Sequence, residues 1–232
     1  MSRDHELMRV HVEALFTHDA EGQLVSVNEP NGAPAPRFFL GRTADGSVRR
    51  FRHDVDRALR RELEVASADD VLRDQLLDVP TSAARYAEIL ARAAPVQRTW
   101  AGPAFRFPED VPATTGTVRV TGATAQLLEP LLREWLPDVP LCQPMVALAV
   151  DGQAVAVCGS VRRTAVAHEA GVETAVAFRG RGYAARVVAG RARAVRDMGR
   201  VPLYSTSWEN EASQSVARKL ALIPFGSDLH FT

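Results

Sequence analysis

The chain has 232 residues, 46% hydrophobic and 24% charged, and its 28 basic and 28 acidic side chains balance to a formal net charge of zero. That is the composition of an ordinary globular protein with enough chain to bury a sizeable core in one large domain or two modest ones, and it lacks the global basic footprint of a nucleic-acid binder. Cys142 and Cys158 are too few and too far apart for a zinc site or a disulfide framework, no run approaches transmembrane length, and residues 1–6 have no apolar signal core, so a cytoplasmic protein without metal or membrane contact is expected.

Residues 4–16 carry Leu7, Met8, Val10, Val12, Leu15 and Phe16 among charges and are predicted as a first helix. Residues 23–27 alternate as a strand does, and Asn28-Glu-Pro-Asn-Gly32 is a strong turn cluster. Residues 37–43 and 48–53 are predicted as a strand pair around Asp45-Gly46, a hairpin signal. Charged helical segments are predicted near 54–66 and 68–79, with a further one over 82–94 between Pro80 and Pro95. The run 100–108, in which Phe105 and Phe107 alternate as one face of a strand would, leads into a Pro/Thr/Gly-rich passage over 109–116. A domain boundary is placed there. It separates an N-terminal accessory α/β domain (1–110) from a second domain (116–232).

Beyond the boundary the elements become regular. A strand is expected over 117–121, and an apolar-striped helix over 123–135, interrupted by Pro130. Strands over 145–150 and 154–161 flank Asp151-Gly152, the preferred two-residue hairpin turn. Val172, Thr174 and Val176 are β-branched and alternate, which predicts another strand. It ends in a basic, glycine-rich turn, Arg179-Gly180-Arg181-Gly182. A helix from Tyr183 to Met198 follows, with Ala184, Val187, Val188, Val195 and Met198 at near-helical spacing and Arg186, Arg193 and Arg196 elsewhere. A strand over 201–205, a helix over about 211–220 and a last strand over 223–231 complete a mixed α/β sheet.

A strand, a glycine turn and a helix start can together hold a phosphate. Glycines let backbone approach the anion, and the free N–H groups of a helix N-terminus point at it with a favourable dipole. Arg179 and Arg181 add positive charge, which opposes the helix dipole and gains nothing there unless an anion is present. The stretch Gly180-x-Gly182-x-x-Ala185 also fits the dinucleotide fingerprint, but that reading expects an acidic residue at the end of the next strand. Residues 201–207 contain none, and only about 50 residues remain to finish a doubly wound sheet.

Arg179-x-x-Gly182-x-Ala184 resembles the Gln/Arg-x-x-Gly-x-Gly/Ala signature of the GNAT N-acetyltransferase superfamily. A second match lies downstream, from Pro202 through Asn210 and Ser213 to Leu222, and resembles the later strand and helix of that family. Together the two motifs cover roughly the last third of the chain. The resemblance implies a GNAT-like core in the C-terminal half with an additional N-terminal α/β domain. It implies an N-acetyltransferase that passes an acetyl group from acetyl-CoA directly to a primary amine of a small molecule or peptide. Acetyl-CoA would be held by Arg179, Gly180, Arg181, Gly182, Tyr183, Ala184 and Ala185. Its pantetheine arm would pair with Val172 to Thr174, with Asn210 and Ser213 nearby; Asn210 is also a natural helix N-cap.

Acetyl transfer needs a neutral amine, a base, a polarised thioester carbonyl and a proton for the departing thiolate. By the resemblance, the base is a carboxylate on the strand before the turn or one reached through water. His168, Glu169 and Glu173 are the candidates, Glu169 the first choice. The tyrosine that the family often uses to protonate the thiolate is replaced by Ala217, and the usual Gly-Phe by Ala221-Leu222. Tyr204, Ser205, Ser213 or solvent are the remaining proton sources. The alternative is a non-catalytic acyl-CoA sensor or scaffold. The N-terminal domain is expected to cover the acceptor side or to form a homodimer contact.

Overall fold

The first two helices start where side chains can replace missing backbone acceptors. In a computed structural model that describes residues 2–70, 82–112 and 114–232, α1 (Arg3–Leu15) begins at Ser2, whose hydroxyl accepts the His5 N–H at 3.3 Å. The second helix, α2 (Arg57–Ala66), begins at Asp56, whose carboxylate accepts the Ala58 N–H at 2.7 Å. Such caps are each worth about 1 kcal/mol. The helix expected over 68–79 falls largely outside the described residues.

Two compact units result. The first comprises Met1–Phe105, Ser205–Glu211 and Pro224–Thr232, and the second Arg106–Tyr204 and Ala212–Ile223.

In the first unit, α1 runs directly into β1 (Phe16–His18), which pairs antiparallel with β2 (Leu24–Val27). The hairpin of β3 (Phe38–Thr43) and β4 (Gly46–Phe51) pairs Thr43 with Gly46, so its loop residues are Ala44 and Asp45. After α2 come α3 (Ala83–Ala91) and β5 (Thr99–Arg106). The sequence pattern misses β5 as a strand because Gly102 and Pro103 interrupt it. A Cβ at Gly102 would sit 1.8 Å from the Thr206 carbonyl oxygen, so glycine is what permits that approach. The strand order is β4-β3-β11-β5, with β11 (Ile223–Phe231) returning antiparallel to β3. Phe38 stacks on Phe51 at 5.0 Å and on Phe231 at 6.3 Å, with Tyr86 edge-on at 5.7 Å. Aromatic pairs of this kind add about 0.5–1.5 kcal/mol each beyond their buried area.

In the second unit the strand order is β10-β9-β8-β7-β6. These strands are β6 (Thr117–Val120), β7 (Met145–Val150), β8 (Gln153–Arg163), β9 (Ala167–Thr174) and β10 (Val201–Ser205). All neighbours are antiparallel except β9 and β10. The β7–β8 hairpin turns on Asp151 (φ 50°) and Gly152 (φ 79°), the double positive φ of a type I′ turn. Where one helix was expected over 123–135 there are two short 3-10 segments, Ala125–Leu128 and Arg133–Trp135. Pro130 has no N–H to donate and its ring obstructs the preceding turn, so the apolar stripe cannot continue as a single α-helix. Leu128 and Leu132 nonetheless reach the core, beside Val120, Val139, Met145 and Val157. The helix α4 (Tyr183–Asp197) packs across β7, β8 and β9 and buries Val187, Val188, Ala192 and Val195. Among the described residues no helix is long and apolar enough to cross a membrane.

The helix α5 (Glu211–Lys219) closes with Ala221 at φ 47° and the Leu222 N–H donating to the Ala217 carbonyl at 2.9 Å. An alanine there is held in the left-handed region that glycine occupies without a Cβ penalty. Ala221→Gly should therefore stabilise the protein by about 1 kcal/mol. A urea denaturation midpoint that fails to rise would contradict this.

Candidate active site

The turn between β9 and α4 is built on two left-handed glycines, Gly180 at φ 77° and Gly182 at φ 79°. Gly182 occupies the N-cap position of α4 with no side-chain cap, and the first turn contains no acidic residue. None of the N–H groups of Gly180, Arg181 and Gly182 donates to a backbone carbonyl among the described residues. Those of the first helical turn, from Tyr183 through Ala185, have no intrahelical acceptor by geometry. Unlike α1 and α2, α4 thus begins with an uncompensated positive end, a ready site for an anion. Arg179 and Arg181 flank it. The Arg179 Nε donates to the Thr174 carbonyl at 3.2 Å, and the Arg181 guanidinium donates to the Ala177 carbonyl at 3.3 Å while lying 5.1 Å from the centre of the Phe178 ring. Both charges are anchored to the turn itself. Arg186, one turn into the helix, donates to the Thr115 carbonyl.

The strand leading into this turn loses one neighbour halfway along. β9 pairs with β10 only at Ala167–Val201, His168–Pro202 and Glu169–Leu203, whereas its pairing with β8 continues to Thr174. From Ala170 to Thr174 the strand therefore has a backbone edge without a partner in β10. Opposite the same place β8 carries a bulge, between Ser160 and Arg162. Val172 and Thr174 lie on this half-paired stretch, and the Thr174 hydroxyl is buried without a hydrogen-bond partner.

Alternation along β9 sorts the three acid–base candidates. His168 faces α4, 4% exposed, its Nδ1 3.2 Å from the Ser160 hydroxyl. Burial, followed by the charges of Arg191, Arg163 and Arg200, pushes its imidazole down to about 4. Glu169 and Glu173 share the opposite face with Gly171. Glu169 is 2% exposed. Glu173 is half-buried, and its carboxylate accepts the indole N–H of Trp135 at 2.6 Å. Gly171 stands directly across from Gly159 on β8. A Cβ on Gly159 would approach the Trp135 ring to 3.1 Å, and one on Gly171 to 3.4 Å. The glycine pair is thus a floor on which the indole lies, and the indole holds Glu173.

At the end of β10, the Tyr204 hydroxyl lies 2.6 Å from the hydroxyl of Ser213 on α5, and desolvation pushes the phenol up to about 12. Ala217 is buried on the same helix. Asn210 directly precedes α5, and its N–H donates to the Ser207 carbonyl at 3.1 Å. Among the described residues no group of three or more His, Cys, Asp or Glu side chains is arranged to hold a metal ion.

No protein-family model matches the sequence, and no curated protein matches it. Solved structures do match in fold. A GNAT-family protein of Novosphingobium aromaticivorans superposes with a TM-score of 0.50 at 20% identity over 59% of this chain, which spans 65% of that protein, just under two thirds of its length. The GCN5-related N-acetyltransferase-like protein of Streptococcus suis matches with a TM-score of 0.50 at 14% identity, over 98% of this chain and 100% of its own. The GCN5-related N-acetyltransferase of Kribbella flavida gives 0.50 at 15% identity, over 100% and 95%. The chain has the GNAT fold.

Four residues of this site carried no functional reading in the sequence. Trp135 reads as an ordinary core or lid aromatic, and the Gly159–Gly171 pair becomes visible only once the strand register is known. Arg191 left a signal: it stands among the apolar positions of α4, three and four residues from Val188 and Val187 and four from Val195.

His168 generates a pH dependence of stability. The unfolded chain takes up a proton near the ordinary 6.5, while the folded chain resists until about 4. This contribution is thus fully present above pH 6.5, is lost as pH falls through that window and levels off below it, for a total of up to about 3 kcal/mol. Urea midpoints at pH 7.5 and 4.5 should differ less in His168→Asn than in the wild type. Equal differences would show that His168 titrates normally in the fold.

Proposed function

We propose that this protein is an acyltransferase that carries an acetyl group from acetyl-CoA to a primary amine of a small molecule or peptide. The observation that carries the reading is the coincidence of two features along one stretch: β9 parts from β10 after Glu169, and beyond the 3-10 segment Val176–Phe178 it leads into the two-glycine, uncapped start of α4. The anion site suits the pyrophosphate, received by the N–H groups of residues 180–185 with Arg179 and Arg181 beside them. The half-paired edge from Val172 to Thr174 suits the amide-bearing arm, which can add to it as a strand would.

In the reaction the amine nitrogen bonds to the thioester carbonyl carbon, the carbon–sulfur bond breaks, one amine proton passes to a base and the thiolate takes up a proton. Glu173 is the better-exposed carboxylate of β9, and Trp135 fixes its orientation. Glu169 lies on the same face but is buried and would act through a water or a shift of its neighbours. Tyr204 keeps its proton at neutral pH and is hydrogen-bonded to Ser213, so the two hydroxyls can supply the thiolate with a proton in place of the tyrosine that Ala217 replaces.

Calorimetric titration with acetyl-CoA, run beside NADH, tests the reading. Saturable binding of acetyl-CoA alone is expected, at least tenfold weaker in Arg179→Ala/Arg181→Ala. With an amine acceptor, Glu173→Gln should lower turnover by about 10²–10⁴-fold while leaving acetyl-CoA affinity within twofold. Binding without turnover across a broad amine panel would instead support an acyl-CoA sensor, the reading that buried Ala217 favours. Absence of binding to acetyl-CoA or longer acyl-CoAs would overturn both.

A further inference from the structure

A fully buried arginine sits where β9 and β10 part. Arg191, on α4, is 0% exposed. Its Nε donates to the Ser160 hydroxyl on β8 at 3.0 Å, its Nη2 to the Glu169 carbonyl on β9 at 2.9 Å, and its Nη1 to the Leu203 carbonyl on β10 at 3.4 Å. These three positions are not arbitrary. Glu169 and Leu203 form the last rung of the β9–β10 ladder, and Ser160 flanks the bulge of β8. One planar group therefore ties three neighbouring strands at the place where pairing stops on one side and register slips on the other.

The chemistry of this choice is informative. Burying a guanidinium carries a large desolvation penalty even after relaxation, and these hydrogen bonds are to neutral oxygens rather than to a carboxylate. The flanking stripe of α4 is Val187, Val188, Ala192 and Val195, all buried, so an apolar side chain would suit packing alone. What an apolar side chain cannot do is satisfy the carbonyls of a ladder that ends inside the protein, where an unpaired acceptor bears its full desolvation penalty. A lysine could reach one or two of these acceptors; the fixed fork of arginine donors serves all three.

We propose that Arg191 is a positioning residue that holds the β9–β10 fork open, keeping the edge of β9 from Ala170 to Thr174 free to receive the arm of an acyl-CoA. The last clause rests on the proposed function; the fork itself does not. In the absence of Arg191 the orphaned carbonyls are best satisfied by closing the ladder further, which shuts the edge without touching the anion site at the start of α4.

The experiment separates these two parts of the ligand. Acetyl-CoA and 3′-phosphoadenosine 5′-diphosphate, which has the pyrophosphate but lacks the arm, are titrated into wild type, Arg191→Met and Arg191→Lys, each checked for a cooperative melt. Both variants should lose at least tenfold in acetyl-CoA affinity, Arg191→Lys less than Arg191→Met, while affinity for the arm-less nucleotide stays within twofold. Amide hydrogen exchange on the ligand-free proteins is read alongside, and residues 170–174 and 204–205 should become more protected in the variants. Equal weakening of both ligands, or wild-type affinity for both, would overturn the proposal, as would unchanged or faster exchange at the fork. Should Arg191→Met fail to fold, Arg191→Lys alone decides by the same criteria. Should the wild type bind neither ligand, the proposed function fails while exchange at residues 170–174 still decides whether Arg191 sets the fork.

Discussion

Ending a β-ladder inside a protein is a problem of backbone accounting. Each rung satisfies an N–H and a carbonyl, and where rungs stop the next groups must find other partners or bear the penalty of burial without them. β9 and β10 stop after three paired positions, and the groups left over are dealt with in two ways. On the β10 side, Arg191 takes the two carbonyls of the last rung. Farther along, the edge of β9 has no partner in β10, and the strand leads to a turn whose own N–H groups donate to no backbone carbonyl among the described residues. Both features come from withholding ordinary backbone partners, and they follow one another along a single stretch of about fifteen residues. A long ligand with an anionic end and amide groups in its arm is what such a stretch can satisfy.

The two-residue period of β9 then divides the chemistry. Side chains at 168, 170 and 172 face α4, where Ser160, Cys158 and Arg191 exclude water; side chains at 169, 171 and 173 face the other way. A histidine one position from a glutamate can look like a catalytic pair in sequence. In the sheet the two point to opposite faces, and the imidazole, beneath α4 and surrounded by three guanidinium charges, stays neutral through the physiological range. On the other face the absence of side chains matters as much as their presence. Gly159 and Gly171 lie opposite each other, and any Cβ there would meet the indole of Trp135, the group that fixes the Glu173 carboxylate.

Much of this was legible wherever local chemistry decides. Asp151-Gly152 specified a type I′ hairpin because the two residues tolerate positive φ, and Gly180 and Gly182 specified a turn before α4 for the same reason. What the linear pattern did not contain was set by distant contacts. β5 contains Gly102 and Pro103, which argue against a strand until the Thr206 carbonyl comes close enough to require the glycine. Residues 123–135 have the apolar stripe of a helix but not the backbone donors, because Pro130 removes one. β11 leaves the second unit after Ile223 and pairs with β3, some 190 residues earlier in the chain, a pairing that no window of the sequence can reveal. Arg191 lay between. Its place on an apolar stripe was visible, but its meaning required knowing which carbonyls lie beneath it.

For the proposed transfer, the proton for a departing thiolate is the remaining chemical question, and Ala217 sharpens it. An alanine can take no part in proton transfer, and this one is buried. A phenol of the second unit, Tyr204, comes from the strand instead of the helix. Desolvation pushes its pKa up to about 12, so at neutral pH the phenol still carries the proton that a thiolate would need. The 2.6 Å contact to Ser213 gives the proton a path, since a hydroxyl can donate from one lone-pair direction while accepting from another. In the proposed reaction Tyr204 and Ser213 thus supply the proton that the sequence resemblance assigns to a tyrosine at position 217.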